Sequence, residues 1–309
     1  MVARTDTDPA GAPEDGGEVG RGSLTDAQRA YLARLGVEAE GPSVDALFRL
    51  HRAHVERIPY ETVWIHLGEA RTVDANESLE RIAVQRRGGY CFQLNGAFGQ
   101  LLGALGYRVT RHVGGVHGPD GPAPSDLTNH LVLTVDGLPT FANPDGVWYV
   151  DAGLGDALHE PMALVEGPVQ QGPYRLTLSR VGVGGDGVGD WHMAHDPIGS
   201  FTGMAWSSRP AEMGDFAQRH EFLATSPDSK FVKVLVVQRR HADGADVLRG
   251  LVVSHPGVST DETVIVDRDE FGSVLRDVFD LDLDRIGPDA LGRLWTRTRT
   301  IHERFSGTI

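Results

Sequence analysis

One cysteine stands in a chain of 309 residues, in the run Arg86-Arg87-Gly88-Gly89-Tyr90-Cys91-Phe92-Gln93-Leu94-Asn95. The two glycines permit a tight turn and a close backbone approach. Apolar residues at helical spacing follow at once, at Phe92, Leu94, Phe98, Leu101, Leu102 and Leu105, and Gly106 ends the run. Cys91 is therefore placed at or near a helix N-terminus. The free N–H groups and partial positive charge there favour thiolate over thiol. A thiolate can take an acyl group from a thioester at little thermodynamic cost. A lone cysteine without such a setting is ordinarily a small buried hydrophobe. It also excludes intrachain disulfides and Cys-rich zinc sites.

A nucleophile of this kind needs a base, and the base needs a group to orient it. His130 opens the alternating stretch Asn129-His130-Leu131-Val132-Leu133-Thr134-Val135, in which His130, Val132 and Thr134 share one face. Asp151 ends Trp148-Tyr149-Val150-Asp151, just before Ala152-Gly153-Leu154-Gly155. Two neighbouring strands could bring carboxylate, imidazole and thiol into line, the carboxylate fixing the tautomer and stabilising the imidazolium. With 13 histidines and 43 carboxylates in the chain, residue types alone do not select this set.

The run RRGGYCFQLN closely resembles the nucleophile motif of the arylamine N-acetyltransferases, and the histidine and VDAGLG strands follow in that family's order. His130 lies 39 residues after Cys91 and Asp151 a further 21 after it. The second interval is slightly long, and the Gly/Pro-rich turn at 136–146 can absorb the excess. Ile58-Pro59-Tyr60-Glu61 resembles the family's IPFEN segment. His195-Asp196-Pro197-Ile198-Gly199-Ser200-Phe201 and the stretch from Ser226-Pro227 through Arg240 are similar as well, so the resemblance covers about residues 25–305. It implies an α+β fold: an N-terminal helical bundle, a central β-barrel and a C-terminal α/β lid. It implies a catalytic Cys91-His130-Asp151 triad, acetyl-CoA as co-substrate, a ping-pong cycle and an aromatic amine, arylhydroxylamine or hydrazine as acceptor. Tyr60, Phe92 and Leu154 fall where it implies substrate contacts. The chain departs from the family pattern at Tyr60, Thr62, Gln93, Asn129 and Leu154. Leu154 in place of Phe implies a wider or differently shaped acceptor pocket, and with it an acceptor other than a simple small arylamine. An alternative on the same scaffold is an amide synthase that releases an acyl chain from an acyl carrier protein. A papain-like hydrolase uses the same residue order, and a binding protein could retain the fold alone.

The elements that must hold these residues can be read from periodicity. Residues 1–24 are rich in Gly, Pro, Asp and Glu and predict a disordered tail. Helices are predicted from Thr25, where Gln28 completes a capping box, from about Ser43 to before Pro59, over about 76–85, and from Cys91. Residues 25–106 thus form a helical domain. From Tyr107 the period becomes two, with strands at 107–113, 130–135, 148–151 and 174–181. Residues 107–210 are expected to be a small barrel and 211–309 a mixed α/β part. In the latter, strands are expected at 230–239, 248–254 and 262–266, and helices at 269–280 and 288–305.

The net charge of −14 argues against broad nucleic-acid binding, which needs a basic footprint. No apolar run reaches the roughly 18 residues of a membrane span, and the N-terminus has no signal-peptide core. The sequence therefore predicts a cytoplasmic protein with no membrane or nucleic-acid partner. No metal is expected: His51 and His54, and His192 and His195, read as solvated pairs without a third ligand. Arg87 is expected in a structural ion pair. Arg239-Arg240 and the series Arg293, Arg297, Arg299, Arg304 read as solvated faces. The glycine-rich Gly182–Gly187 loop lacks the Lys-Ser/Thr of a phosphate loop.

Overall fold

The structure, a computed structural model, describes residues 24–123, 126, 128–181 and 190–306. The tail expected over 1–24 lies outside the described residues except for Leu24, and so does the 182–187 loop.

The first part holds five helices: α1 (Asp26–Leu35), α2 (Val44–Arg57), α3 (Val63–Leu67), α4 (Ala75–Ala83) and α5 (Cys91–Ala104), with a short strand β1 (Tyr60–Glu61) between α2 and α3. Local chemistry starts them. The Thr25 hydroxyl accepts the Gln28 N–H at 3.2 Å, and the Gln28 side-chain Oε1 accepts the Thr25 N–H at 2.8 Å. Ser43 caps α2 by accepting the Ala46 N–H, and Asp74 caps α4 by accepting those of Asn76 and Glu77. Helix α5 carries no charge in its first or last turn and is buried almost all round. Such a helix belongs in a core, and α5 lies between α4 and the next sheet.

That sheet has eight antiparallel strands: β2 (Arg108–His117), β3 (His130–Asp136), β4 (Trp148–Val150), β5 (Met162–Ala163), β6 (Gly167–Gln171), β7 (Tyr174–Arg180), β8 (Trp191–Ala194) and β9 (Gly203–Pro210). Their order, β5-β4-β3-β2-β9-β8-β7-β6, curls into a nearly closed barrel. Strand β3 is buried on both faces. Leu131, Leu133 and Val135 join the helical core with Phe98 and Leu101, while Val132 packs with Tyr149, Leu176 and Trp206 of the barrel core.

The third part contains α6 (Ala217–Thr225), α7 (Lys230–Lys233), strands β10 (Val236–His241), β11 (Gly244–Arg249), β12 (Val252–Ser254) and β13 (Glu262–Val264), then α8 (Arg268–Ser273), α9 (Leu283–Ile286) and α10 (Pro288–Ser306). Two strand expectations are corrected here. The run 230–239 begins as a helical turn, because Ser229 accepts the Phe231 N–H at 3.2 Å and caps it; the strand starts only at Val236. The run 248–254 is two strands, because Gly250 adopts a left-handed φ of 63° and folds β11 back on β12, pairing Leu248 with Val253. The helix expected at 269–280 is α8 followed by a π-helical turn, Val274–Val278.

Strand β1 belongs to the last sheet although it lies among the helices. Tyr60 pairs with Gln238 and Glu61 with Val237. Thr62 extends the seam: its hydroxyl accepts the Val236 N–H at 3.0 Å. Bundle and α/β part are thus tied together close to the turn that precedes Cys91.

Candidate active site

The turn ahead of Cys91 is held from beneath by buried charge. Glu61 is fully buried and receives Arg81 at 3.0 Å and Arg87 at 3.4 Å; Arg87 also reaches Glu69 at 3.2 Å. Burial alone would raise the Glu61 carboxyl, but Arg87 and then Arg81 outweigh it and hold the group below its ordinary value. The Glu61 N–H donates to the Gly89 carbonyl at 2.8 Å. Gly88 crosses Pro59 so closely that a Cβ there would lie 1.9 Å from the Pro59 carbonyl oxygen. Arg87 makes the structural pairing expected of it.

Cys91 is the first residue of α5, and Tyr90 is its N-cap. Gln93 accepts the Tyr90 N–H at 3.3 Å and donates to the Thr72 carbonyl at 3.1 Å. A glutamate here could accept but not donate, which accounts for the amide at this position. The Tyr90 hydroxyl meets His220 Nδ1 at 2.6 Å, while His220 Nε2 donates to the Arg71 carbonyl at 2.8 Å.

The structure brings Cys91, His130 and Asp151 together. His130 Nε2 lies 2.7 Å from Asp151 Oδ2, and the imidazole lines the same cavity as Cys91. The thiol itself lies 3.6 Å from the Asn129 carbonyl. Burial acts to lower the His130 imidazolium, but the Asp151 carboxylate, the Cys91 charge and hydrogen bonds to both outweigh it and push the group up to about 10. The ring therefore prefers its charged form between a carboxylate and a sulfur.

Four donors hold Asp151. Oδ1 accepts Asn95 Nδ2 at 2.7 Å and the Gly153 N–H at 3.0 Å; Oδ2 accepts the Tyr149 hydroxyl at 2.9 Å and His130. Asn95 lies one turn after Cys91 on α5, so the helix that positions the sulfur also positions the carboxylate. Gly153 passes against the helix, and a Cβ there would lie 2.7 Å from Cys91 Cα. Asn129 holds the entrance to β3 by accepting the Val116 N–H at 2.8 Å and donating to the Val116 carbonyl at 3.0 Å.

This corner opens on a cavity of about 500 Å³ lined by Cys91, His130, Tyr60, Leu154, Phe201 and Phe231 among others. A larger groove of about 920 Å³ adjoins it, and the two share Ser200, Lys230, Val247 and Arg249.

A family model described as N-acetyltransferase matches residues 43–287. The arylamine N-acetyltransferase of Mycolicibacterium smegmatis is 32% identical over 235 residues, which cover 71% of this chain and 78% of that protein. That of Mycobacterium tuberculosis H37Rv is 31% identical over 288 residues, covering 90% and 96%. This chain belongs to the arylamine N-acetyltransferase family. Among solved structures, the Salmonella typhimurium family member superposes with a TM-score of 0.75 at 25% identity, covering 89% of this chain and 100% of that one. The Mycobacterium marinum member, solved in complex with CoA, gives 0.76 at 28% identity, covering 89% and 99%.

Of the residues where the family resemblance implied substrate contacts, Tyr60 and Leu154 line the cavity. Phe92 is not in that lining; it is fully buried and packs against Tyr90, Phe216 and His220. Three readings of other side chains are corrected. His51 and His54 are fully buried rather than solvated, because α2 turns that face onto Phe98 of α5. His51 bonds the His159 carbonyl at 3.0 Å, and burial pushes it down to about 4. Arg240 is likewise fully buried, stacked 4.5 Å over Tyr174 and donating to the Ala157 and Gln171 carbonyls at 2.9 Å. His192 is not a solvated partner of His195: it stacks on His117 with their Nε2 atoms 2.9 Å apart. Tyr149 and Asn95 were not singled out in the sequence, though each was visible by spacing: Tyr149 shares a strand face with Asp151 and Asn95 a helix face with Cys91. Among the described residues no cluster of three or more potential ligands could hold a metal ion. No described helix is long and apolar enough to cross a membrane.

Proposed function

We propose that this enzyme moves an acetyl group from acetyl-CoA, through a thioester on Cys91, to the nitrogen of an arylamine, arylhydroxylamine or hydrazine. The observation that carries the reading is the imidazole of His130, bonded to Asp151 through Nε2 and lining one cavity together with Cys91. Family membership supports the donor and the acceptor class, and the M. marinum relative's structure contains CoA.

The cycle starts from Cys91 thiolate and His130 imidazolium. Sulfur attacks the acetyl carbonyl carbon and a C–S bond forms. The bond to the CoA sulfur breaks, and His130 gives that sulfur its proton. The acceptor nitrogen then attacks the Cys91 thioester: a C–N bond forms, the C–S bond breaks, and His130 takes the amine proton while Cys91 leaves as thiolate. Asp151 stabilises the imidazolium at each end of the cycle without itself changing protonation. Backbone N–H groups at the start of α5 are the natural donors to the tetrahedral oxyanion. Lys230 and Arg249, at the junction of cavity and groove, suit the phosphates of CoA. The relatives compared above carry nothing that favours an acyl-carrier donor.

Intact mass spectrometry after incubation with acetyl-CoA tests this reading. One added acetyl group is expected on the wild type and none on Cys91→Ala. A wild type that stays unmodified would overturn it. Parallel lines in double-reciprocal plots at several acceptor concentrations are the expected mark of the ping-pong order.

A further inference from the structure

Tyr90, the N-cap of α5, is fully buried, and its ring is boxed by other rings. Trp64 stacks on it with centroids 5.8 Å apart, and Phe92 and Phe231 lie at 5.4 Å and 5.2 Å. A phenylalanine would keep all of those contacts. The hydroxyl reaches further, to α6, where it lies 2.6 Å from His220 Nδ1. The far side of the imidazole fixes the direction of that bond. His220 Nε2 lies 2.8 Å from the Arg71 carbonyl, which can only accept, so Nε2 carries the hydrogen and Nδ1 receives the one from Tyr90. Burial agrees with this, pushing the His220 imidazolium below its ordinary value and favouring the neutral ring.

The backbone of Tyr90 has a second support. Gln93 Oε1 accepts the Tyr90 N–H at 3.3 Å, and Gln93 Nε2 donates to the Thr72 carbonyl at 3.1 Å. Ring and backbone of one residue are thus anchored, through His220 and Gln93, on the adjacent carbonyls of Arg71 and Thr72. Between them they hold the peptide that joins Tyr90 to Cys91. Its N–H is the first of the donors that the start of a helix leaves without an intrahelical partner. Helix α6 also lines the cavity of Cys91, through Leu223, three residues on from His220.

We propose that His220 is a positioning residue for acyl transfer: through the Tyr90 hydroxyl it fixes the peptide whose N–H, that of Cys91, meets the tetrahedral oxyanion. The inference rests on the acetyltransfer reading above. His220 touches no reacting atom. As the Cys91 sulfur adds to the acetyl carbon, the carbonyl electron pair moves onto oxygen, and the charge formed there needs a donor already aimed at it. As the bond to the CoA sulfur breaks, the pair returns to the carbonyl. Displacement of iodide from iodoacetamide by the same sulfur forms no oxyanion, so it makes no demand on that donor.

The test compares these two reactions of Cys91: rapid-mixing acetylation by saturating acetyl-CoA, and alkylation by iodoacetamide. In Tyr90→Phe and in His220→Leu, acetylation should slow about tenfold while alkylation stays within about twofold of wild type. The acetyl-CoA concentration giving half the maximal rate should not change. The double variant should lose no more than either single one, because all three remove the same bond. His220→Asn, which keeps an acceptor for the Tyr90 hydroxyl, should restore most of the rate. Acetylation at the wild-type rate in Tyr90→Phe overturns the inference. So does equal slowing of both reactions in that variant, which would leave the bond a packing role only, and so does His220→Asn behaving as His220→Leu. A wild type that alkylates but never gains an acetyl group overturns the acetyltransfer reading and this inference with it, whereas the other results leave that reading standing.

Discussion

Asp151 is held by more than its histidine. The Tyr149 hydroxyl donates to the same oxygen that His130 uses, and Asn95 and the Gly153 N–H hold the other. Shared donation spreads the carboxylate charge and limits how tightly the imidazolium is held. Tyr149→Phe removes one donor from a fully buried acceptor, which should cost about 1–3 kcal/mol in urea unfolding. It should also leave more charge facing His130, so the alkaline limb of Cys91 alkylation by iodoacetamide should move to higher pH. An unchanged or lowered limb would deny Tyr149 this influence. The sign of the wild-type pH dependence follows from the raised imidazolium. His130 is held at about 10 against an ordinary 6.5. Its charged form therefore contributes stability in full below about 6.5, progressively less above it, and none once pH passes about 10. Thermal melts of wild type and His130→Gln across that interval should converge as pH rises; a constant gap would contradict the assignment.

At the scale of elements, the site depends on one turn between α4 and α5 and on the glycine strand end after Asp151. Arg81, Arg87 and Glu61 lie under the turn with Glu61 fully buried. Arg81→Met leaves that carboxylate with one cation fewer, a change expected to cost about 3–5 kcal/mol in urea unfolding. Gly153→Ala acts differently. Its Cβ would press on Cys91 Cα at 2.7 Å, so alkylation of Cys91 should slow markedly while most of the fold persists. Alkylation at the wild-type rate would show that α5 yields there. The same elements show what the sequence discloses and what it withholds. The start of α1 was legible because Thr25 and Gln28 make a local bond pair, and α5 because its apolar pattern follows two glycines. Strand β10 was displaced because a serine cap at Ser229 outweighs the strand preference of the valines after it. Strands β8 and β9 went unread. Strand β8 has only four residues, and β9 is buried without alternation over its first four and pairs on one side with the distant β2, as Trp206 does with Gly114. The burial of His51 and Arg240 was likewise invisible, since their partners are carbonyls at 159, 157 and 171 that only the closed fold brings near.

On the scale of the whole molecule, charge and cavity shape act together. A protein of net charge −14 repels a phosphorylated donor at long range, so local cations at the mouth of the site must offset that field. Lys230 from α7 and Arg249 from the end of β11 are exposed, without an ion pair among the described residues, and line both the inner cavity and the outer groove. Their place at the junction puts charge where an acyl thioester arm would pass from groove to Cys91. Replacing both with Gln should raise KM for acetyl-CoA about tenfold, the scale of two solvent-accessible charge contacts. The rise should shrink in high salt, because screening weakens the attraction in the wild type and leaves less to lose in the variant. Alkylation of Cys91 by uncharged iodoacetamide reports the reactivity of the sulfur itself and separates binding from chemistry. Equal slowing of alkylation and acetylation would mean that Lys230 and Arg249 act on the nucleophile, and the donor phosphates would then have to be held elsewhere along the groove.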